Sequence, residues 1–270
     1  MQIIKRVIIA VLITMLIVSG CSTKEVIKEN NAEERVVSAV KDTNNKNVYE
    51  DFLTDFQNNN ENSIDIDNFI KKYVENTSNI NEISYTVEKI KFLSTVQDEL
   101  LIKIDMGYEL DFRDIIGIFD ENNEEIFSQG GLMISYEIVD ALDNGKQQLV
   151  LITDDSGNGH TLENMQIISF DEKTQDTAIV FNEVLRAYAY LPHKEVKDSD
   201  FYTVSFENSY KFSASAHGAK NIVFKSEIFE REDEVLLTGM STFEFNGEKY
   251  VSQNYYDYRG KAEEIYNSKE

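Results

Sequence analysis

The sequence predicts an α+β fold in which short N-terminal helices precede a mainly antiparallel β domain. Apolar residues recur at helical spacing between residues 48 and 75, and from about residue 82 they alternate with polar residues instead. Turn-forming pairs such as Asn246-Gly247 separate the alternating runs, as hairpin connections do. Local signals do not set the strand order, so a sandwich, an open sheet and a partial propeller all remain open.

The chain begins with the three-part pattern of an export signal. Lys5 and Arg6 precede an apolar run from Val7 to Val18, and Ser19 and Gly20 are small. The run has 12 residues, whereas a lasting membrane helix needs about 20. We therefore interpret residues 1–20 as a signal peptide and not as a membrane span.

Val18-Ser19-Gly20-Cys21 resembles the lipobox of bacterial lipoproteins. The resemblance implies that Cys21 is lipidated through a thioether and becomes the new N-terminus, with the lipid bilayer as a partner. It also implies attachment to the cell membrane on its extracytoplasmic face. Cys21 is the only cysteine, which excludes an intramolecular disulfide. The alternatives are an ordinary secretory signal with an incidental cysteine and a short buried helix.

The mature chain is strongly acidic. Removing residues 1–20 removes two basic residues and no acidic one, so the net charge changes from −23 to −25. Nucleic acid is excluded as an expected partner, because its binding depends on Lys and Arg neutralising phosphates. Residues 21–47 comprise the lipidated cysteine and a polar spacer. Within it, Val36, Val37 and Val40 share one helical face, which predicts a short helix over 32–41.

Two amphipathic helices are predicted to open the domain. From Val48 to Phe56 the apolar residues follow helical spacing, and Asn47 is the candidate N-cap. A second apolar stripe runs from Asp65 to Glu75, with Asp65 as the cap. A third short helix is expected over residues 261–270.

Strands are predicted from period-two alternation, over residues 83–87, 100–108, 132–138, 202–206 and 210–214. Asn246-Gly247 lies between two further apolar runs and predicts a hairpin. The surroundings of Pro192, the only proline, are interpreted as a polar loop between two groups of strands. Residues 48–270 are assigned to a single globular α+β domain.

The segment from Val139 to Leu151 resembles the acidic-turn-then-strand repeat of VCBS or FG-GAP-type modules. In those modules an Asp- and Gly-rich turn binds calcium, which implies metal ligands at Asp140 and Asp143 and an extracellular interaction scaffold. This segment departs from the repeat pattern at two places: Asn144-Gly145 replaces its second Asp-Gly pair, and Gln148 replaces the acidic residue usually found before the apolar run.

A second candidate metal loop follows at residues 154–159. Asp154, Ser156 and Asn158 place oxygen ligands at alternate positions, as at the start of a calcium loop. The bidentate Glu expected at the twelfth position is Met165. An ordinary turn requires the same residue types, so a structural turn is the alternative. Calcium is the only candidate cofactor.

Tyrosines are concentrated near the C-terminus, and Tyr255, Tyr256 and Tyr258 are the candidate ligand-binding platform. Packing in a strand or core is the alternative interpretation. The sequence contains no nucleophile elbow, no His-Glu-x-x-His pair and no phosphate-binding glycine loop, and its three histidines lack metal-ligand spacing. No catalytic residue is assigned.

These patterns favour a membrane-anchored extracytoplasmic lipoprotein that acts as a non-catalytic module and binds a ligand or partner. The partner would be an envelope protein or a cell-wall component. A carboxylate-dependent envelope hydrolase and a structural or assembly factor of an envelope complex are the alternatives.

Overall fold

A computed structural model describes residues 35–38, 48–60, 63–80, 82–106, 114–154, 160–189, 191–192, 201–202, 204–230 and 234–268. The proposed signal peptide and Cys21 lie outside these ranges. Among the residues described, none of the helices has both the length and the apolar character that crossing a bilayer requires.

The first sheet is an antiparallel meander of five strands in sequence order. Its strands are β1 (Arg35–Ser38), β2 (Glu82–Ile90), β3 (Glu99–Met106), β4 (Asp114–Phe119) and β5 (Glu125–Gly131). The helix predicted over 32–41 is wrong in its described part, because Arg35–Ser38 pairs with Glu82–Tyr85 of β2. Adjacent valines suit an edge strand, and pairing with β2 outweighs the local helical spacing.

Helices α1 (Val48–Asn59) and α2 (Ile66–Lys71) cover one face of the first sheet. Phe52 and Phe56 of α1 pack edge-on against the ring of Tyr85 in β2. Asp65 caps α2 by accepting the Asn68 N–H at 3.1 Å. Both helices and this cap confirm the prediction.

The second sheet has eight antiparallel strands in the order β15-β14-β13-β12-β9-β8-β7-β6. Their bounds are β6 (Met133–Val139), β7 (Gln148–Asp154), β8 (His160–Asp171), β9 (Asp176–Ala189), β12 (Val204–Ser215), β13 (Gly218–Glu230), β14 (Glu234–Phe245) and β15 (Tyr250–Ser252). In the strands predicted over 202–206 and 210–214, Tyr202 lies in β11 (Phe201–Tyr202), and residues 204–206 and 210–214 lie in β12. Around Pro192, where a loop is predicted, β10 (Leu191–Pro192) pairs with β11 (Phe201–Tyr202).

The two sheets pack face to face over an apolar layer. The first sheet contributes Leu101, Ile116 and Ile118, and the second contributes Ile134, Leu149, Leu151 and Ile168. The opposite face of the second sheet encloses its own core, because the sheet curls until its ends approach. Between these two edges, the hydroxyl of Tyr250 in β15 donates to the carbonyl of Ala141, which follows β6, at 3.2 Å.

Helix α3 (Tyr258–Asn267) packs on β12 and β13 of the second sheet. Tyr258 is fully buried, with its ring centroid 4.8 Å from that of Phe206. The helix starts three residues earlier than predicted, because Asp257 caps it by accepting the Gly260 N–H. Short helices packed on antiparallel sheets confirm the α+β class.

Candidate functional site

The turn between β6 and β7 holds the first pair of predicted metal ligands. Asp140 uses both carboxylate oxygens to accept backbone N–H groups of Asn144 and Gly145, each at 3.1 Å. Gln148 accepts from the backbone of Ala141 at 2.7 Å and of Leu142 at 3.1 Å. The turn is therefore closed by its own side chains.

The predicted metal ligands do not converge on one point. Val139, next to Asp140, pairs with Gln148 at the start of β7, whereas Asp154 ends β7 and pairs with Met133. Six residue steps along a strand span about 20 Å. Ser156 and Asn158 lie outside the described residues. Within the described part of the chain, no group of three or more His, Cys, Asp or Glu side chains is arranged to hold a metal.

The three candidate tyrosines have different surroundings. Tyr255 is 49% exposed, and Tyr256 is half-buried. Tyr258 is a core residue whose hydroxyl donates to Glu183 at 3.2 Å. A platform of three exposed rings is therefore absent here, because Tyr258 lies on the buried side of α3.

An accessible feature of the described structure is the outer edge of β14, which we call the open edge and define as residues 234–240. β15 pairs only with Phe243–Phe245, and the backbone of Gln253 extends the contact to Thr242. The chain then leaves the sheet, and Tyr256 donates its backbone N–H to the Ser241 hydroxyl instead. Among the described strands, none pairs with the open edge.

Backbone groups point out of this edge. Thr242 accepts from the Gln253 N–H at 2.8 Å and donates its own N–H to the Asn254 side chain at 2.9 Å. Since alternate residues of a strand direct their backbone groups to the same side, Met240 and Thr238 direct theirs to the open edge. No described group bonds to the backbone of either residue on that side. Two donors and two acceptors are therefore available for another strand.

The side chains of the open edge are apolar and accessible. Met240 is 55% exposed, Val235 47% and Leu237 39%. Proteins normally protect such an edge with lysine, proline or a covering segment. Residues 234–240 include neither lysine nor proline. The edge therefore combines unpaired backbone groups with apolar side chains.

A second feature is an acidic pair between the two sheets. Asp105 of β3 and Asp114 of β4 each adjoin the strand pair Ile104–Ile115, and the two carboxyl groups are within hydrogen-bonding reach. Lys103 contacts both, at 3.7 Å from Asp114. Asp114 also accepts the backbone N–H of Ile134 in β6 at 2.9 Å, which joins the sheets. Burial, with the nearby Asp105 charge, raises the pKa of Asp114 to about 6.

Side chains next to this pair extend the polar layer. Tyr136 of β6 donates to Glu88 and lies 3.4 Å from the Thr86 hydroxyl. Burial is the main cause that raises the pKa of Tyr136 above its ordinary value. The side chains of Lys103 and Asp114 are 15% and 14% exposed. Lys103 and Asp114 are therefore mostly closed to solvent, whereas the Asp105 side chain is 35% exposed, and the bonds of the cluster connect β2, β3, β4 and β6.

Comparisons with protein-family models, curated proteins and solved structures found no match to this chain. Sequence reasoning found neither the open edge nor the acidic pair. Val235, Leu237 and Met240 are ordinary strand residues by composition, and only the strand order exposes them. Asp105 and Asp114 lie nine positions apart, and only the pairing of β3 with β4 brings their carboxyl groups together.

Proposed function

We propose that this protein is a lipid-anchored extracytoplasmic binding module, which holds an extended segment of an envelope partner along the open edge of β14. The single observation that supports the proposal is that edge, with its outward backbone groups at Thr238 and Met240. Strand addition of this kind obtains affinity from main-chain hydrogen bonds and specificity from alternate side chains. It requires no catalytic residue.

The lipid anchor is tested separately. We expect metabolic labelling with an alkyne fatty acid to mark the wild-type chain, and the Cys21→Ser chain to lose both the label and its membrane association. Several acyl chains are needed for stable attachment, because about 0.8 kcal/mol is gained per buried CH₂. A Cys21→Ser chain that still sediments with membranes in carbonate would contradict the anchor.

Binding is tested with short, capped peptides that alternate valine and threonine, added to the lipidated chain in phosphatidylcholine nanodiscs. We expect fluorescence anisotropy to detect saturable binding. N-methylation of the backbone positions on one edge of the peptide should abolish it, whereas methylation of the opposite edge should not. This contrast depends on the peptide alone, so a folding defect in the protein cannot imitate it.

Protein variants then locate the site. Met240→Lys places on the edge the charge that natural edge strands use for protection, and should weaken peptide binding at least about tenfold. Ile179→Lys is the matched control, because Ile179 of β9 is 56% exposed and Met240 is 55% exposed. If both variants bind the peptide like the wild type, β14 is not the binding edge.

A carboxylate-dependent hydrolase is the second candidate, and the raised pKa of Asp114 beside Asp105 is the observation that favours it. The contact between the two carboxyl groups is shorter than the separations of about 5–9 Å used in glycosidases. Release of soluble fragments from purified cell wall, lost in Asp105→Asn and retained in Met240→Lys, would establish the hydrolase and displace the binding module.

A further inference from the structure

β1 lies between the proposed anchor and the rest of the domain. The chain runs from Cys21 through residues 22–34 into β1, and residues 39–47 follow before α1 begins at Val48. A pull between a membrane-anchored Cys21 and the domain therefore reaches the pairing of β1 with β2 before it reaches any later element. The strength of that pairing decides how the domain responds to the pull.

The pairing of β1 is short and one-sided. β1 has four residues, and Arg35–Ser38 pairs with Glu82–Tyr85 of β2. The next pair in the sheet, β2 with β3, joins eight residues of each strand. In the described order of strands, β1 ends the first sheet and has β2 as its only strand neighbour. Since each ladder hydrogen bond adds little net stability, four paired residues at an edge separate more readily than the rest of the sheet.

α1 is held much more firmly than β1. Phe52 is fully buried in the core between α1 and the first sheet. The Tyr49 hydroxyl donates to Asp67 of α2 at 2.9 Å, and the Tyr85 hydroxyl of β2 donates to Asp55 of α1 at 2.9 Å. Burial of large apolar side chains stabilises more than a few ladder bonds do. Separation of β1 from β2 therefore ends where α1 begins.

We infer that β1 is a releasable strand that gives the anchored domain two tether lengths. While β1 is paired, residues 22–34 link Cys21 to the domain, and these thirteen residues reach at most about 45 Å. When β1 separates from β2, residues 35–47 join the tether, and the resulting twenty-six residues reach at most about 90 Å. The tether role rests on the lipid anchor proposed above, whereas the release of β1 is a property of the fold alone.

The two tether lengths matter when a bound partner moves away from the membrane. With β1 paired, the pull between the anchor and the partner acts on the β1–β2 ladder. Release of β1 lets the domain follow the partner, so the load stops rising before it disturbs α1 and the core beneath it. When the load falls, α1 still holds the chain next to the first sheet, and β1 can pair with β2 again.

Force spectroscopy in optical tweezers tests the release of β1. The chain from residue 21 onward carries Cys21→Ser and is held by its N-terminus and by a peptide tag inserted after Glu248, in an exposed turn. As the force rises, we expect a reversible gain in contour length of at most about 45 Å, the reach of residues 35–47, before the body unfolds. A larger first gain would show that α1 leaves together with β1, and would overturn the stop at Val48.

A disulfide between β1 and β2 supplies the control. Ser38 and Glu82 are cross-strand partners, and the Cα atoms of such partners lie about 4.5–5.5 Å apart, a distance that a disulfide spans. The chain with Ser38→Cys and Glu82→Cys should lose most of the early gain when oxidised and regain it when reduced. Ser209→Cys with Lys225→Cys places a matched disulfide between β12 and β13, and should keep the early gain in both states.

The remaining outcomes separate this inference from the proposed function. If the first gain coincides with unfolding of the body, or persists in full in the oxidised Ser38→Cys/Glu82→Cys chain, β1 is not a releasable strand. The pulled chain contains neither lipid nor bound peptide, so such a result leaves the anchor and the open edge standing. If wild-type Cys21 takes no fatty-acid label, the tether role is removed even where the early gain is observed.

Discussion

Replacing Asp114 by asparagine should stabilise the protein at neutral pH. Burial raises the pKa of Asp114 from an ordinary 3.8 to about 6, with Asp105 adding to the effect. The folded state therefore binds this proton more tightly than the unfolded state. The stability that this bound proton contributes is fully present below pH 3.8 and is lost as the pH rises through 6.

The magnitude follows from the difference between the two pKa values. A rise from 3.8 to about 6 corresponds to about 3 kcal/mol at pH 8. Lys103 interacts with both carboxyl groups, and Asp105 shares part of the free-energy cost of ionisation. We therefore expect Asp114→Asn to raise the free energy of unfolding by about 1–2 kcal/mol. Asparagine retains an oxygen for the Ile134 N–H and an amide donor for Asp105.

Urea unfolding followed by circular dichroism at pH 4.5, 6 and 8 measures this effect. The Asp114→Asn chain should exceed the wild type in free energy of unfolding at pH 8, and the difference should shrink toward pH 4.5. Asp143→Asn, in an exposed turn, controls for the loss of one negative charge from an acidic chain and should change stability by less than about 0.5 kcal/mol. A variant that is less stable than the wild type at every pH would refute the argument, because the carboxylate would then stabilise the sheet interface.

Two further substitutions test close packing and the β6–β7 turn. Gly239→Ala should lower the free energy of unfolding by about 1–3 kcal/mol, because an added Cβ would lie 2.2 Å from the Tyr256 ring. Urea unfolding should show a smaller loss in a Tyr256→Ala background, which would verify that contact. Gln148→Leu should lower the free energy of unfolding by about 2–3 kcal/mol, because the N–H groups of Ala141 and Leu142 lose their acceptor. Thermal melting should show partial recovery in Gln148→Glu, which keeps the acceptor. Equal losses of stability in the two variants would contradict this role.

The sequence predicts the elements that local chemistry determines. α1 and α2 follow from apolar spacing, and the α2 boundary follows from Asp65, whose carboxylate caps the helix. The hairpin at Asn246-Gly247 follows from the need for a positive φ, which Gly247 adopts at 99°. In each case the residues that decide the structure are neighbours in sequence.

The features that sequence reasoning missed depend on distant pairing. Val36 and Val37 fit a helix as well as a strand, and only the partner β2 decides between them. Tyr258 belongs to a tyrosine-rich segment, but the cap at Asp257 starts a helix that turns its ring into the core. Whether β14 lies at an edge or in the middle of the sheet is a property of strand order, which local alternation does not contain.

The position of β1 changes what the predicted anchor can do. The proposed spacer ends at residue 47, but pairing of Arg35–Ser38 with β2 fixes the chain to the first sheet twelve residues earlier. Only residues 22–34 then connect Cys21 to the domain, and thirteen residues reach at most about 45 Å. This still exceeds the screening length of about 8 Å at physiological salt, so an acidic body can stand clear of an anionic bilayer. If both the proposed anchor and the proposed binding function hold, a segment that pairs with β14 comes from a protein close to the membrane surface or attached to it.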